Sequence, residues 1–189
     1  QHNETSTAIV NPIREVSAAR GDHPALLIVD SVSGLGAAPF DMDGWKVDVA
    51  VTGSQKAFMS PPGLAFIAAN QRAMEIAKKN QNHKFYFDLM KAKEMLEKGQ
   101  TPFTPAISVL FAVEEALDHI EEVGIDAVVA DHYKHRNLVR TGLKAMGLKL
   151  LAPDEIASPA VTAVACPEGI DPLRLRKVLR EKYNIIIAG

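Results

Sequence analysis

A lysine stands in a Gly-Ser turn directly behind an apolar run: Asp48 to Thr52 reads DVAVT and Gly53-Ser54-Gln55-Lys56 follows it. Lysines favour open surface, where the ammonium stays hydrated. The flanks here are small and apolar (VAVTGS before, AF after), so the amine is expected in a crevice at the carboxyl end of a strand. Open α/β sheets hold their ligands there. Partial burial disfavours the ammonium form and makes the amine a better nucleophile. The plain alternative is a solvated loop lysine. A carboxylate, Asp30, closes the preceding apolar run Ala25 to Asp30 and is followed by Ser31-Val32-Ser33-Gly34. If the two runs are neighbouring parallel strands, Asp30 and Lys56 emerge at one sheet edge. A carboxylate there pairs with a cationic ring nitrogen while the amine forms an imine with an aldehyde, the combination that pyridoxal phosphate uses. Taken alone, Asp30 reads equally as a strand-end acid capping a turn.

Other chemistry-bearing residues read more plainly. His132 and His135 lie three apart on an expected helix without the acidic partner of a metal motif, so they read as surface or packing histidines and no metal site is expected. Gly34-Leu35-Gly36 lacks the third glycine of a dinucleotide fingerprint and reads as a tight turn. Cys166, in the run VTAVACP, reads as a small buried hydrophobe. Arg174, Arg176, Lys177, Arg180 and Lys182 form the solvated face of a helix whose core face is leucine and valine. His2 is given no catalytic role.

The elements that must hold these residues follow from periodicity and punctuation. Asn11-Pro12 predicts a helix start, with Asn as cap and Pro in the first turn, ended by Gly21. Ala25–Asp30, Asp48–Thr52 and Gly63–Ala69 predict buried strands. The linker between the last two holds Ser60-Pro61-Pro62-Gly63, too short and broken for a helical crossover, so that pair is expected to be antiparallel. Helices are expected from Asn70 to about Lys79 and from Phe87 to Lys98, then a break at QTPFTP (100–105). A long helix from Pro105 to Gly124 carries Ile107, Leu110, Phe111, Leu117 and Ile120 as one stripe, and another spans 125–146. From Leu148, short strands (KLLA, VTAVACP), a helix over 171–183 and a last strand IIIA predict a smaller α/β unit. The expected division is 1–124, part of a large domain, and 125–189, a linker helix with part of a small C-terminal domain.

The 189 residues are 47% hydrophobic and 23% charged, which excludes disorder and collagen-like repeats. Twenty-one basic against 23 acidic residues give a net charge of −2, so no nucleic-acid partner is expected. No apolar run reaches the roughly 18 residues needed to span a bilayer, so no membrane partner is expected. One cysteine excludes an intrachain disulfide and suits a reducing, cytoplasmic setting. The start at Gln1 and the end on an apolar Ile185-Ile186-Ile187 run predict that the chain is an internal piece of a longer protein.

Four segments carry a resemblance: His2-Asn3-Glu4-Thr5-Ser6-Thr7, Val29-Asp30-Ser31-Val32-Ser33, Gly53-Ser54-Gln55-Lys56 and Pro61-Pro62-Gly63. In this order and spacing they resemble the class V aminotransferases of fold type I, nearest the alanine–glyoxylate, serine–glyoxylate and serine–pyruvate group, over essentially the whole chain. The resemblance implies an α/β fold, a mostly parallel sheet with one antiparallel strand covered by helices. It also implies pyridoxal 5′-phosphate as cofactor. Lys56 would form the internal aldimine and serve as the base. Asp30 would keep the pyridine nitrogen protonated, Val32 would pack on the ring, Thr5 would bond its phenolic oxygen and Gln55 its phosphate. Thr104, assisted by Thr101, would reach the phosphate of a partner subunit, implying a homodimer with shared active sites.

The implied activity is transfer of an amino group from alanine or serine to glyoxylate or pyruvate by a ping-pong route. The family's glycine-rich phosphate segment and ring-stacking aromatic belong before residue 1, and its carboxylate-clamping arginine after Gly189, so the 189 residues alone are expected to be inactive. Cysteine desulfurases carry His before the lysine; Gln55 favours the aminotransferase branch. A lyase of desulfurase type and a non-catalytic α/β ligand-binding domain are the alternatives.

Overall fold

Residues 1–189 are described by a computed structural model. The chain opens on an antiparallel ribbon of β1 (Asn3–Glu4) and β2 (Ile9–Val10), followed by helix α1 (Ile13–Arg20). A three-stranded sheet comes next, in the order β3 (Ile28–Asp30), β4 (Val49–Gly53), β5 (Ala65–Ala69). β3 and β4 run parallel, with Ile28 opposite Val49 and Asp30 opposite Val51; β4 and β5 run antiparallel. The proline-broken linker therefore reverses the chain as expected. Helices α2 (Gln71–Lys79), α3 (Leu89–Glu97), α4 (Ile107–Val123), α5 (Ile125–Ala145) and α6 (Pro172–Tyr183) complete an α/β architecture with a mixed sheet. No helix is long and apolar enough to cross a membrane.

The core lies under one sheet face. Val29 and Ala50, side by side in register, pack with Ile13 of α1 and with Val47, and Phe40 and Trp45 close over them. Beside this core sits a buried acid, Asp48. Arg20 reaches its carboxylate at 2.6 Å and Arg72 at 3.1 Å, and it also accepts from the Leu27 N–H (2.8 Å) and the Asn70 amide (2.9 Å). Burial pushes this carboxyl up, but those donors and the two guanidiniums outweigh it and hold it at about 2. A second small cluster, Ala8, Ala152 and Ala157, ties residues from the far end of the chain to the β1–β2 ribbon, and Ser158 N–H donates to the Ala8 carbonyl at 2.8 Å.

Helix starts follow their capping residues at three places. Asn70 accepts from the Ala73 N–H, Asp88 from Met90 and Lys91, and Asp171 from Leu173. α1 departs from expectation: Pro12 occupies the cap, and the Asn11 amide instead donates to the Gln1 carbonyl at 2.8 Å. Other local expectations fail for want of covering partners. Ile28 is 61% exposed because the second sheet face, shared with Ile67, has nothing packed on it. On α4, Ile107, Leu110, Phe111 and Leu117 stay exposed, and only Val113, Ala116 and Ile120 are buried. The expected strands after Leu148 reduce to a single bridge, Leu150 with Val164, and the closing run 185–187 pairs with nothing. Cys166 is exposed: its run meets the chain at Leu150 only through Val164, and nothing covers the thiol.

Candidate active site

The turn behind β4 is held by buried hydroxyls. Ser54 is fully buried; its Oγ donates to the Pro61 carbonyl at 2.7 Å and accepts the Leu64 N–H at 3.3 Å. The Ser60 N–H returns to the Ser54 carbonyl (3.1 Å), and the Met59 N–H to that of Lys56 (2.9 Å). Met59 sits at φ +52, a left-handed conformation that few non-glycine residues adopt and that clusters at functional turns. The loop after β3 presses on this turn through Gly36, at φ +87, where a Cβ would come within 3.0 Å of Ala57. The Gly-Leu-Gly run is thus a tight turn whose second glycine lets two loops meet.

The two loops bound a cavity of about 390 Å³, a size that suits a small organic ligand. Lys56, Ala57 and Met59 form one wall, Asn3 and Thr5 of β1 with Ser33 another, and His132 of α5 with Ala160 and Val161 a third. Ser33 Oγ donates to the Asn3 carbonyl (3.0 Å) and accepts from Asn3 Nδ2 (3.0 Å) and Thr5 Oγ1 (3.3 Å). That hydroxyl is then saturated. Asn3 Oδ1, by contrast, is buried with no partner, which costs about 1–3 kcal/mol until something donates to it.

The structure gathers some of the expected site residues and not others. Lys56 and Thr5 line the cavity. Lys56 is exposed, not half-buried, because its turn projects beyond the sheet edge; the expected desolvation of the amine does not arise from these residues. Asp30 ends the neighbouring parallel strand at the same sheet end, outside the lining, and accepts the Val32 N–H at 3.0 Å, as a turn-capping acid does. Gln55 is exposed and folds its side chain over Gly53. Thr101 and Thr104 line a separate open cavity of about 880 Å³ with Gln100 and Phe103, and Thr101 Oγ1 donates to the Phe103 carbonyl at 2.7 Å.

Sequence reasoning missed Asn3, Ser33, Met59 and His132 as cavity residues. The first two sit inside the motif segments, whereas nothing local marks His132, which only the path of α5 brings to Lys56. His2 is buried behind the wall. Its Nδ1 lies 2.8 Å from Ser31 Oγ, its backbone N–H donates to the Asp30 carbonyl at 2.7 Å, and its ring packs on Phe40 at 5.3 Å. Burial pushes its imidazole below the usual value.

Parallel strands that end beside a polar cavity are where open α/β proteins hold their ligands. The family model "Aminotransferase class-V" matches residues 1–189, and the chain belongs to that family, whose members use pyridoxal phosphate. It is 44% identical over 190 residues to an uncharacterized aminotransferase of Methanocaldococcus jannaschii, covering 100% of this chain and 49% of that protein. It is 37% identical over 196 residues to a serine–glyoxylate aminotransferase of Methylorubrum extorquens, again covering 100% and 49%. Among solved structures, an alanine–glyoxylate aminotransferase from Nostoc sp. superposes with a TM-score of 0.94 at 29% identity, covering 100% of this chain and 51% of that one. The chain spans about half the length of the relatives it matches.

The donor set fits the family's cofactor. Lys56 lines the cavity with a primary amine, Asp30 stands at the adjoining strand end, and Thr5 adds a hydroxyl whose bond to Ser33 is long at 3.3 Å.

Proposed function

We propose that the whole protein is a pyridoxal-phosphate aminotransferase that moves an amino group from alanine or serine to glyoxylate or pyruvate. The observation that carries this reading is the parallel register of β3 and β4, which sets Asp30 and the Lys56 turn at one sheet edge beside a cavity. The substrates named for the Methylorubrum and Nostoc relatives support the choice of pair.

When bound, the cofactor supplies an electron sink for a carbanion at the substrate α-carbon. Lys56 would hold the cofactor through its amine and would serve as the base that takes the α-proton and gives it back. The Asp30 carboxylate would hold a proton on the pyridine nitrogen, Val32 would cover one ring face, and Gln55 would donate to the phosphate. Thr5, whose 3.3 Å bond to Ser33 is long, turns its hydroxyl to the phenolic oxygen. Thr101 and Thr104, which face a cavity other than that of Lys56, serve the phosphate of a second copy, so the protein is a homodimer with shared sites. Residues 1–124 belong to the large cofactor domain and 125–189 to a linker helix and the small domain. The setting is cytoplasmic.

The test is a donor and acceptor screen on the full-length protein. Ping-pong turnover of alanine or serine with glyoxylate or pyruvate is expected. Sulfur release from cysteine would replace this reading with a lyase, and absence of any turnover with ligand still bound would leave a binding domain.

A further inference from the structure

We propose that His132 is a specificity-determining residue: its Nε2 accepts a hydrogen bond from the side-chain hydroxyl of the amino donor, so the site favours serine over alanine. This rests on the aminotransferase reading and narrows its substrate. His132 Nδ1 lies 2.9 Å from the Val128 carbonyl oxygen, one turn back on α5. A carbonyl only accepts, so Nδ1 carries the proton, and in the neutral ring Nε2 is an acceptor. Nε2 has no protein partner, and the ring is half-buried and lines the same cavity as Lys56.

The other polar groups of the cavity are largely committed. Ser33 and Asn3 bond to each other, and Thr5 is assigned to the cofactor. Apart from the buried Asn3 Oδ1, two lining side chains keep a polar group with no protein partner, the Lys56 amine and His132 Nε2. The amine is reserved for the chemistry, which leaves Nε2 as the acceptor. The neighbours of His132 in this wall, Ala160 and Val161, are apolar and add no competing donor. Alanine presents a methyl group to such a wall, whereas serine presents the O–H that an acceptor lacks. His135, one turn further on, is spoken for by the Asp131 carbonyl and carboxylate and lines no part of the cavity, which makes it a matched control.

The experiment uses the full-length, cofactor-loaded protein and compares kcat/KM for serine and for alanine, each with glyoxylate, in the wild type, His132→Leu, His132→Gln and His135→Gln. Borohydride labelling of Lys56 confirms that each variant is folded and loaded. The serine-to-alanine ratio is expected to fall about tenfold in His132→Leu, the worth of one hydrogen bond to substrate. It recovers in part in His132→Gln, which keeps an acceptor, and does not move in His135→Gln. Independently of turnover, nitrogen NMR of imidazole-labelled protein should show His132 protonated at Nδ1, with an Nε2 signal that shifts on saturation with serine and not with alanine.

An unchanged ratio in labelled His132→Leu, or an equal loss for both donors, overturns the assignment; the equal loss would place His132 on the groups that serine and alanine share. Failure of the wild type itself to label at Lys56 removes the aminotransferase reading, and this assignment with it.

Discussion

The β3–β5 sheet with its flanking loops and the α4–α6 helices carry comparably strong apolar patterns, yet they bury them differently. Around the sheet, Val29, Val47 and Ala50 are sealed, and even a carboxylate, Asp48, is buried with every oxygen engaged. Along the helices, Phe111, Leu138, Val139 and Met146 face outward, and α5 buries a single residue, Arg140. That arginine is anchored on the Ala152 carbonyl and Asp154, while Lys144 holds the same carboxylate. Periodicity establishes that a helix has an apolar side; it does not say which chain covers it. Burial needs a partner surface, and within these residues the sheet region has more of it than the helices do.

The contrast can be broken or sharpened by substitution. Its largest expected effect is at Asp48. Asp48→Ala leaves Arg20, itself only 14% exposed, without its partner and should cost about 3–5 kcal/mol of unfolding free energy, read by chemical denaturation. A loss below about 1 kcal/mol would mean that the sheet region is not organised around this ion cluster.

Acid comes next. Asp48 titrates at about 2 when folded and near 4 when unfolded, so the unfolded chain binds the proton more readily. Its contribution of roughly 2 kcal/mol is present above about pH 4 and lost as the pH falls toward 2. His2 adds to this at milder pH: its lowered value means that stability also declines once the pH drops below the ordinary imidazole range. A melting series from pH 7 to pH 3 reads both. Ser54→Ala should cost about 1 kcal/mol and loosen the Lys56 turn, since one hydroxyl joins Pro61 to Leu64 there. Leu138→Gln, at a site 71% exposed, should change stability by less than about 0.5 kcal/mol. A larger loss would show that α5 is covered after all and would erase the contrast.

Much of the frame was legible in the sequence because its signals are local. The Asn70 side-chain cap, the Pro61-Pro62 break and the apolar run 48–52 each encode their own structure. What stayed hidden depends on distant partners. Asp48 read only as the start of a strand, since nothing nearby announces that Arg20 and Arg72 converge on it. His132 read as a surface histidine because only the docking of α5 brings it to the cavity of Lys56. Cys166 read as buried and the run 185–187 as a last strand, and no partner strand arrived to cover the one or pair with the other. The same limit explains Lys56: its flanks announced a crevice, but the exposure of the amine is set by whatever stands beyond the sheet edge.

The central claim is that Lys56 anchors the cofactor. The direct measurement is to add pyridoxal phosphate to the full-length protein, reduce with borohydride, digest, and locate the modified peptide by mass spectrometry. A single pyridoxyl group on Lys56, with the visible cofactor band lost in Lys56→Ala, is the predicted result. Scattered labelling of surface lysines, or a band that survives Lys56→Ala, would contradict it.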